Sequence, residues 1–307
     1  MKLSVFTVAT PDMTAEQLAA AAASAGIEGV EWRFRGIPEA ARSETPSFWG
    51  NNRCSIDPAR WEEDVPAFRE AAIQHGRRSI ALVPYLNCGD LPATVQAFEA
   101  ASALGASMMR VGVPGYNRQT AYPALYDQAV RYLTEVQDLA KQYKVKALVE
   151  THHFTIAPTA SLAYRLVESL DPDHVGVLYD PGNMVHEGYE NYRMGLELLG
   201  PYLAHVHVKN AGWYPDAKEQ ADAESNEGGT TSAASLSLRA GWTSRWAPLT
   251  GGIVDWVQVV RDLKAVGYDG YYGIEDFSGT YASAEMLQHF ADVMAGIERQ
   301  LEEEVRV

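Results

Sequence analysis

Residues 201–212 read PYLAHVHVKNAG, and the alternation inside this stretch decides the fold. Ala204, Val206 and Val208 take one face of an extended segment, while His205, His207 and Lys209 take the other. A strand buried between two apolar layers has no use for two imidazoles and an ammonium on one face. A strand whose second face points at a polar site does.

Seven further segments have the same short, β-rich character: LSVFTV (3–8), GVEWRF (29–34), RSIALVPYL (78–86), SMMRVGVPG (107–115), KALVETHH (146–153), VGVLYDPGN (175–183) and YDGYYGIEDF (268–277). Between them lie stretches with apolar residues at three-to-four spacing, the mark of amphipathic helices. TAEQLAAAAASAG (14–26) opens on Thr14 as an N-cap and closes on Gly26 as a C-cap. The last helix carries Met286, Phe290, Met294, Ile297 and Leu301 on one stripe, which leaves its Glu302–Glu304 run facing solvent. Eight strand–helix repeats predict a single α/β domain over residues 1–307, a (β/α)8 TIM barrel. A doubly wound sheet is the weaker reading, because no glycine-rich fingerprint follows the first strand.

Two connections are too long for simple turns. Residues 35–60 follow the second strand and residues 211–250 the seventh, with 213–250 read as an insertion. Both leave the C-terminal ends of strands, where barrels of this kind build their sites. DAESNEGGTTSAAS (222–235) has the composition of a flexible segment, and Trp213, Trp242 and Trp246 on its flanks predict ordered shoulders. The insertion reads as a lid or a partner contact.

Composition narrows the function. A formal charge of −15 over 307 residues argues against nucleic acid or an anionic membrane as partner, since both reward a basic surface. Cys54 and Cys88 match no metal-binding spacing and are expected to be reduced thiols. Pro11 and Asp12 interrupt the first apolar run before a signal-peptide core forms, and no run approaches the ~18 residues of a membrane span. A soluble, cytoplasmic protein is expected.

The last inward residue of a barrel strand lies at the mouth. Glu150, Asp180, His207 and Glu275 end or nearly end four consecutive strands at a common height. Three carboxylates converging with one imidazole repel each other and are costly to bury unless a cation joins them. One divalent ion is therefore expected, and the oxygen-rich set suits Mn²⁺, Mg²⁺ or Co²⁺ while still accommodating catalytic zinc. His152, two residues beyond Glu150, shares its inward face and places an acid–base group beside the ion; His153 should point outward. His205 lies one layer below His207. Lys209 and Asn183 sit at the rim, holding substrate oxygens or facing water. His186 and Glu187 line the pocket or begin a helix, and Glu31 and Trp32 border the site or belong to the core.

LVETH, LYDPGN, AHVHVKN and GYYGIED, in this order, resemble the four strand-end motifs of the xylose isomerase-like TIM-barrel superfamily, which includes sugar phosphate isomerases and epimerases. The resemblance covers the whole chain. It implies Glu150, Asp180, His207 and Glu275 as ligands and Asn183 as a substrate contact. SVFTVATPD, VEWRF, PSFWGNN and ETHHF look most like the large subunit of bacterial C-glycoside deglycosidases. That finer resemblance implies cleavage of 3-keto-C-glycosides, Mn²⁺, a small β-rich partner subunit in an oligomer, and His152 as the base. The alternative is a sugar or sugar-phosphate isomerase or epimerase, in which Glu150 and Glu275 carry the proton. Asn183 and Asn210 depart from the strict keto-sugar epimerase pattern. Both chemistries begin with removal of a proton next to a sugar carbonyl.

Overall fold

Val206 and Val208 are wholly buried in the apolar layer shared with the helices, whereas His205 and His207 are wholly buried inside a closed ring of strands. The computed structural model of the chain describes residues 1–187, 190–215 and 241–306. Eight parallel strands form the ring: β1 (Lys2–Phe6), β2 (Gly29–Phe34), β4 (Arg78–Pro84), β5 (Met108–Arg110), β6 (Lys146–Glu150), β7 (Val175–Tyr179), β8 (Leu203–Val208) and β11 (Tyr271–Ile274). β1 closes it by pairing with β2 on one side, Ser4 opposite Gly29, and with β11 on the other, Lys2 opposite Tyr271. This is the expected (β/α)8 barrel.

The helices α1 (Ala15–Ser24), α2 (Trp61–Gln74), α3 (Leu91–Leu104), α4 (Tyr122–Tyr143), α5 (Ala160–Val167), α7 (Tyr192–Leu199), α8 (Trp256–Ala265) and α9 (Ser283–Arg306) follow the barrel strands in turn, with a single turn, α6 (Pro181–Met184), directly after β7. Local signals set their starts. Thr14 and Gln17 form a reciprocal capping box at α1, and Asp90, Thr159, Asn191 and Asp255 each accept a backbone N–H at the first turn of their helices. The stripe from Met286 to Leu301 on α9 is buried throughout.

Both long connections are partly structured. The first contributes β3 (Ser55–Ile56), which extends the sheet beside β2, and it is anchored by Asn52, whose amide donates to Val8 O at 3.1 Å and accepts from Cys54 N at 3.1 Å. The second rises as an antiparallel hairpin, β9 (Asn210–Pro215) with β10 (Trp242–Ala247), Trp213 standing opposite Ser244. Residues 222–235 lie outside the described residues. Asn210 closes the hairpin's base by donating to Leu249 O at 2.8 Å and accepting from Val254 N at 2.9 Å. Its side chain is thereby committed to the loop and not to the barrel mouth. Trp213 ties the hairpin to Val185 O at 2.8 Å, while Trp242 remains exposed. Both cysteines are free, and among the described residues no helix is long and apolar enough to cross a membrane.

Candidate metal centre and substrate cavity

Glu150 is the last residue of β6, Asp180 follows β7, His207 lies on β8 and Glu275 follows β11. The barrel brings their ligand atoms within 4.8 Å of one another, all four residues buried. His207 Nδ1 is the hub, 3.6 Å from Glu150 Oε1, 3.8 Å from Asp180 Oδ2 and 3.6 Å from Glu275 Oε2. Among the described residues this buried nitrogen has no hydrogen-bond partner. A buried ring nitrogen facing three carboxylates without a hydrogen bond is an arrangement that a divalent cation satisfies, so the residues present fit one.

The site's orientation comes from below. His207 Nε2 donates to Glu31 Oε2 at 2.9 Å, and Ser4 Oγ donates to Glu31 Oε1 at 2.8 Å. His205 Nε2 stands 3.0 Å from Glu31 Oε2, one layer beneath the ligands as expected. Burial disfavours the Glu31 carboxylate, but His205 and His207 outweigh that cost and hold it well below the usual range. Burial likewise opposes the His207 imidazolium, yet Glu31 and Glu275 lift His207 well above the usual imidazole value. The layer exists because β11 passes with Gly273, where a Cβ would meet Glu31 Oε1 and come within 3.0 Å of Ser4 Oγ.

Charge at the ligand level is balanced by two basic groups. Arg110 Nη1 donates to Glu150 Oε2 at 2.6 Å, so Glu150 is held well below the usual carboxylate range although burial pushes the other way. Lys209 Nζ lies 2.9 Å from Asp180 Oδ2 and also donates to Glu275 Oε2. Asp180 is pushed up to about 7 by burial, Lys209 opposing and Glu275 and Glu150 reinforcing the shift. Asn183 donates to Glu150 Oε1 at 3.1 Å and to Asp180 Oδ2 at 2.9 Å, and its own backbone N–H caps on Asp180 Oδ1. The DPGN turn needs its glycine here, because a Cβ on Gly182 would come within 2.9 Å of Lys209 O.

Above the ligands opens a cavity of about 540 Å³, with Glu150, Asn183 and Glu275 toward its floor. Aromatic rings form much of its wall: Trp49 from the first long connection, Tyr85 beyond β4, Trp246 from the hairpin and Phe277 beyond β11. His152 and His153 also face it. His152 Nδ1 donates to His153 O at 2.8 Å, which leaves Nε2 as the basic nitrogen. Burial lowers His152, with Glu150 pulling the other way, so the ring is neutral near neutral pH. A hollow of about 700 Å³ at the other end of the barrel, bordered by Lys146 and Tyr268, holds none of the strand-end carboxylates.

Several expectations need correction. Trp32 does not border the site: it is wholly buried on the helix side of β2, its Nε1 donating to Ser79 Oγ at 2.9 Å and its ring edge-on to Phe68. Glu31 does not reach substrate, because β2 places it beneath His207. Lys209 is not a rim residue facing water; it is 3 % exposed and reaches down to the carboxylates while still bordering the cavity. His153 does not point outward. The chain turns sharply at Phe154, φ +60°, and His153 stacks between His152 and His186 with ring centroids 4.3 and 4.4 Å away. His186 lies behind it, bonded through Nδ1 to Ser244 Oγ at 2.7 Å, so it props the wall and the hairpin instead of lining the cavity. Glu187 accepts from Phe154 N at 2.7 Å and fixes the same turn.

Arg110 and the aromatic wall are additions. Arg110 had a signal, since it interrupts the apolar run MMRVGV on the strand next to the one that ends in Glu150. Trp246 was marked only as an ordered shoulder of its loop, and nothing in the sequence signalled that it would share one wall with Trp49, Tyr85 and Phe277, because loop paths follow no periodicity.

Comparison with known proteins agrees with this architecture. The chain is 26% identical over 153 residues to the inosose dehydratase of Geobacillus thermodenitrificans, covering 49% of this chain and 46% of that protein. It thus spans about half the length of the curated relatives it matches. The solved IOLI protein with a bound zinc atom superposes with a TM-score of 0.69 at 17% identity, over 97% of this chain and 98% of that one. The E. coli 3-keto-D-glucoside 4-epimerase YcjR does so at 0.66 and 15%, over 97% and 99%. Residues 19–297 match the family described as xylose isomerase-like TIM barrel, and the chain belongs to that family.

Proposed function

We propose that this protein removes a proton next to the carbonyl of a keto-sugar and expels the group one carbon further along, an eliminative cleavage. The observation that carries the reading is the unpartnered His207 Nδ1 among Glu150, Asp180 and Glu275, with the neutral His152 on the wall above. Glu150, Asp180, His207 and Glu275 would hold a divalent ion, which when bound would supply electrophilic stabilisation beside a substrate carbonyl. Mn²⁺ is the proposed ion, Mg²⁺, Co²⁺ and Zn²⁺ being compatible with the same donors.

His152 takes the proton on Nε2, and the C–H electron pair moves toward the carbonyl. When the carbonyl reforms its double bond to oxygen, the pair passes into a new C=C bond and the bond to the leaving group breaks. Lys209, which borders the cavity, supplies the proton that the departing group requires. For a 3-keto-C-glycoside the proton leaves C2 and the aglycone leaves C1. Trp49, Trp246 and Phe277 provide flat faces for a sugar ring or an aglycone. Support for elimination also comes from how the glutamates are held. Glu150 is clamped by Arg110, which leaves His152 as the free base beside it on the cavity wall. The inosose dehydratases among the relatives are dehydratases by name, in keeping with an eliminative reaction.

The alternative is epimerisation or isomerisation, in which the proton returns to carbon. It is favoured by the proximity of Glu150 and Glu275 in one ligand set, and by the likeness to the 3-keto-D-glucoside 4-epimerase. Incubating the Mn²⁺-loaded protein with ketoses, sugar phosphates and 3-keto-glycosides in D₂O separates the two. Free aglycone with an unsaturated keto-sugar supports elimination; a deuterated stereoisomer of unchanged skeleton supports epimerisation. No deuterium uptake and no product from any of them would overturn both.

A further inference from the structure

We propose that Lys209 is the built-in counter-ion of the metal-free centre, and that ion binding displaces its ammonium from the carboxylates into the substrate cavity. The inference rests on the metal reading above and concerns what the lysine does before and after the ion arrives.

Lys209 Nζ contacts Asp180 Oδ2 at 2.9 Å and Glu275 Oε2. These are the same two oxygens that face His207 Nδ1 at 3.8 and 3.6 Å. An ammonium and a divalent ion would therefore compete for the same oxygen lone pairs, and two cations sharing them in a buried site repel strongly. In the metal-free protein the lysine offsets the cost of burying Asp180 and Glu275, as Arg110 does at Glu150. The side chain also has somewhere to go. Its Nζ already lies 5.0 Å from the Trp246 ring centroid and 5.3 Å from that of Phe277, both on the cavity wall, so a released ammonium keeps a favourable aromatic berth. Loading the ion would thus arm the cavity with a positive group only when the centre is complete.

Reductive methylation of the metal-stripped and Mn²⁺-loaded protein, read at Lys209 by peptide mass spectrometry, tests the displacement directly. Labelling at Lys209 is expected to be at least about tenfold faster with Mn²⁺, because the amine leaves its carboxylate partners, while Lys2 and Lys264 react equally in both forms. In parallel, calorimetric titration with Mn²⁺ should show Lys209→Met binding the ion at least about tenfold more tightly than the parent. The same variant should melt lower than the parent when stripped and close to it when loaded. Equal labelling of Lys209 in both forms, together with unaltered Mn²⁺ affinity in Lys209→Met, overturns the displacement while leaving the metal centre intact. Failure of the parent protein to bind Mn²⁺ or any other divalent ion overturns the metal reading as well, and the two results are distinct.

Discussion

Glu31 Oε2 accepts a hydrogen bond from His207 Nε2 at 2.9 Å, and this contact decides which imidazole nitrogen meets the carboxylates. With Nε2 committed to Glu31, Nδ1 is delivered toward Glu150, Asp180 and Glu275. Replacing Glu31 by Gln weakens that hold without opening a void. Partners of this kind typically contribute about 10- to 100-fold in metal affinity, so Glu31→Gln should weaken Mn²⁺ binding by that order in a calorimetric titration. Unchanged affinity would show that the barrel walls alone orient the ring.

Direct removal of ligands should be more severe. Asp180→Asn and Glu275→Gln each delete one anionic oxygen from the set whose ligand atoms lie within 4.8 Å. Elemental analysis after gel filtration should find both variants largely metal-free under conditions that saturate the parent. Full occupancy in both would move the ion elsewhere.

His152 is expected to act as the base. General bases contribute about 10² to 10⁴ in rate, so His152→Ala should lower turnover by that order with metal content preserved. Near-parental turnover in the loaded variant would hand the role to Glu150 or Glu275.

The pH profile carries an independent mark of the same group. A base works only when unprotonated, and burial lowers His152 below its ordinary 6.5. Activity should therefore be present above the lowered pKa and be lost as pH falls through it, with the acid limb of kcat/KM centred below pH 6.5. A bound cation nearby pushes the limb in the same direction. A midpoint above the ordinary value would contradict the assignment.

Trp32 separates stability from chemistry. It is wholly buried between β2 and the helices, and truncating such a ring costs about 3–5 kcal/mol. Trp32→Ala should shift the urea midpoint strongly while leaving the metal affinity of the folded fraction unaltered. A selective loss of substrate binding with normal stability would return Trp32 to the site.

The barrel and its four candidate ligands were legible in the sequence because both rest on local period-two patterns. In AHVHVK the aliphatic and polar faces alternate, and Glu150, Asp180 and Glu275 each break an apolar run at a strand end. The same period applied to β2 assigned opposite faces to Glu31 and Trp32, but not which face was inside. Closure of the ring decided that, sending Glu31 beneath His207 and Trp32 among the helices. His153 escaped the rule because the strand ends at Glu150 and the chain turns at Phe154, where alternation no longer holds. Lys209 was read at the rim, but a long flexible side chain goes where the charge is, and only the convergence of Asp180 and Glu275 from other strands determined its direction. Local pattern thus named the residues that share a face. Which of them meet, and across what distance, depended on contacts between strands far apart in the chain.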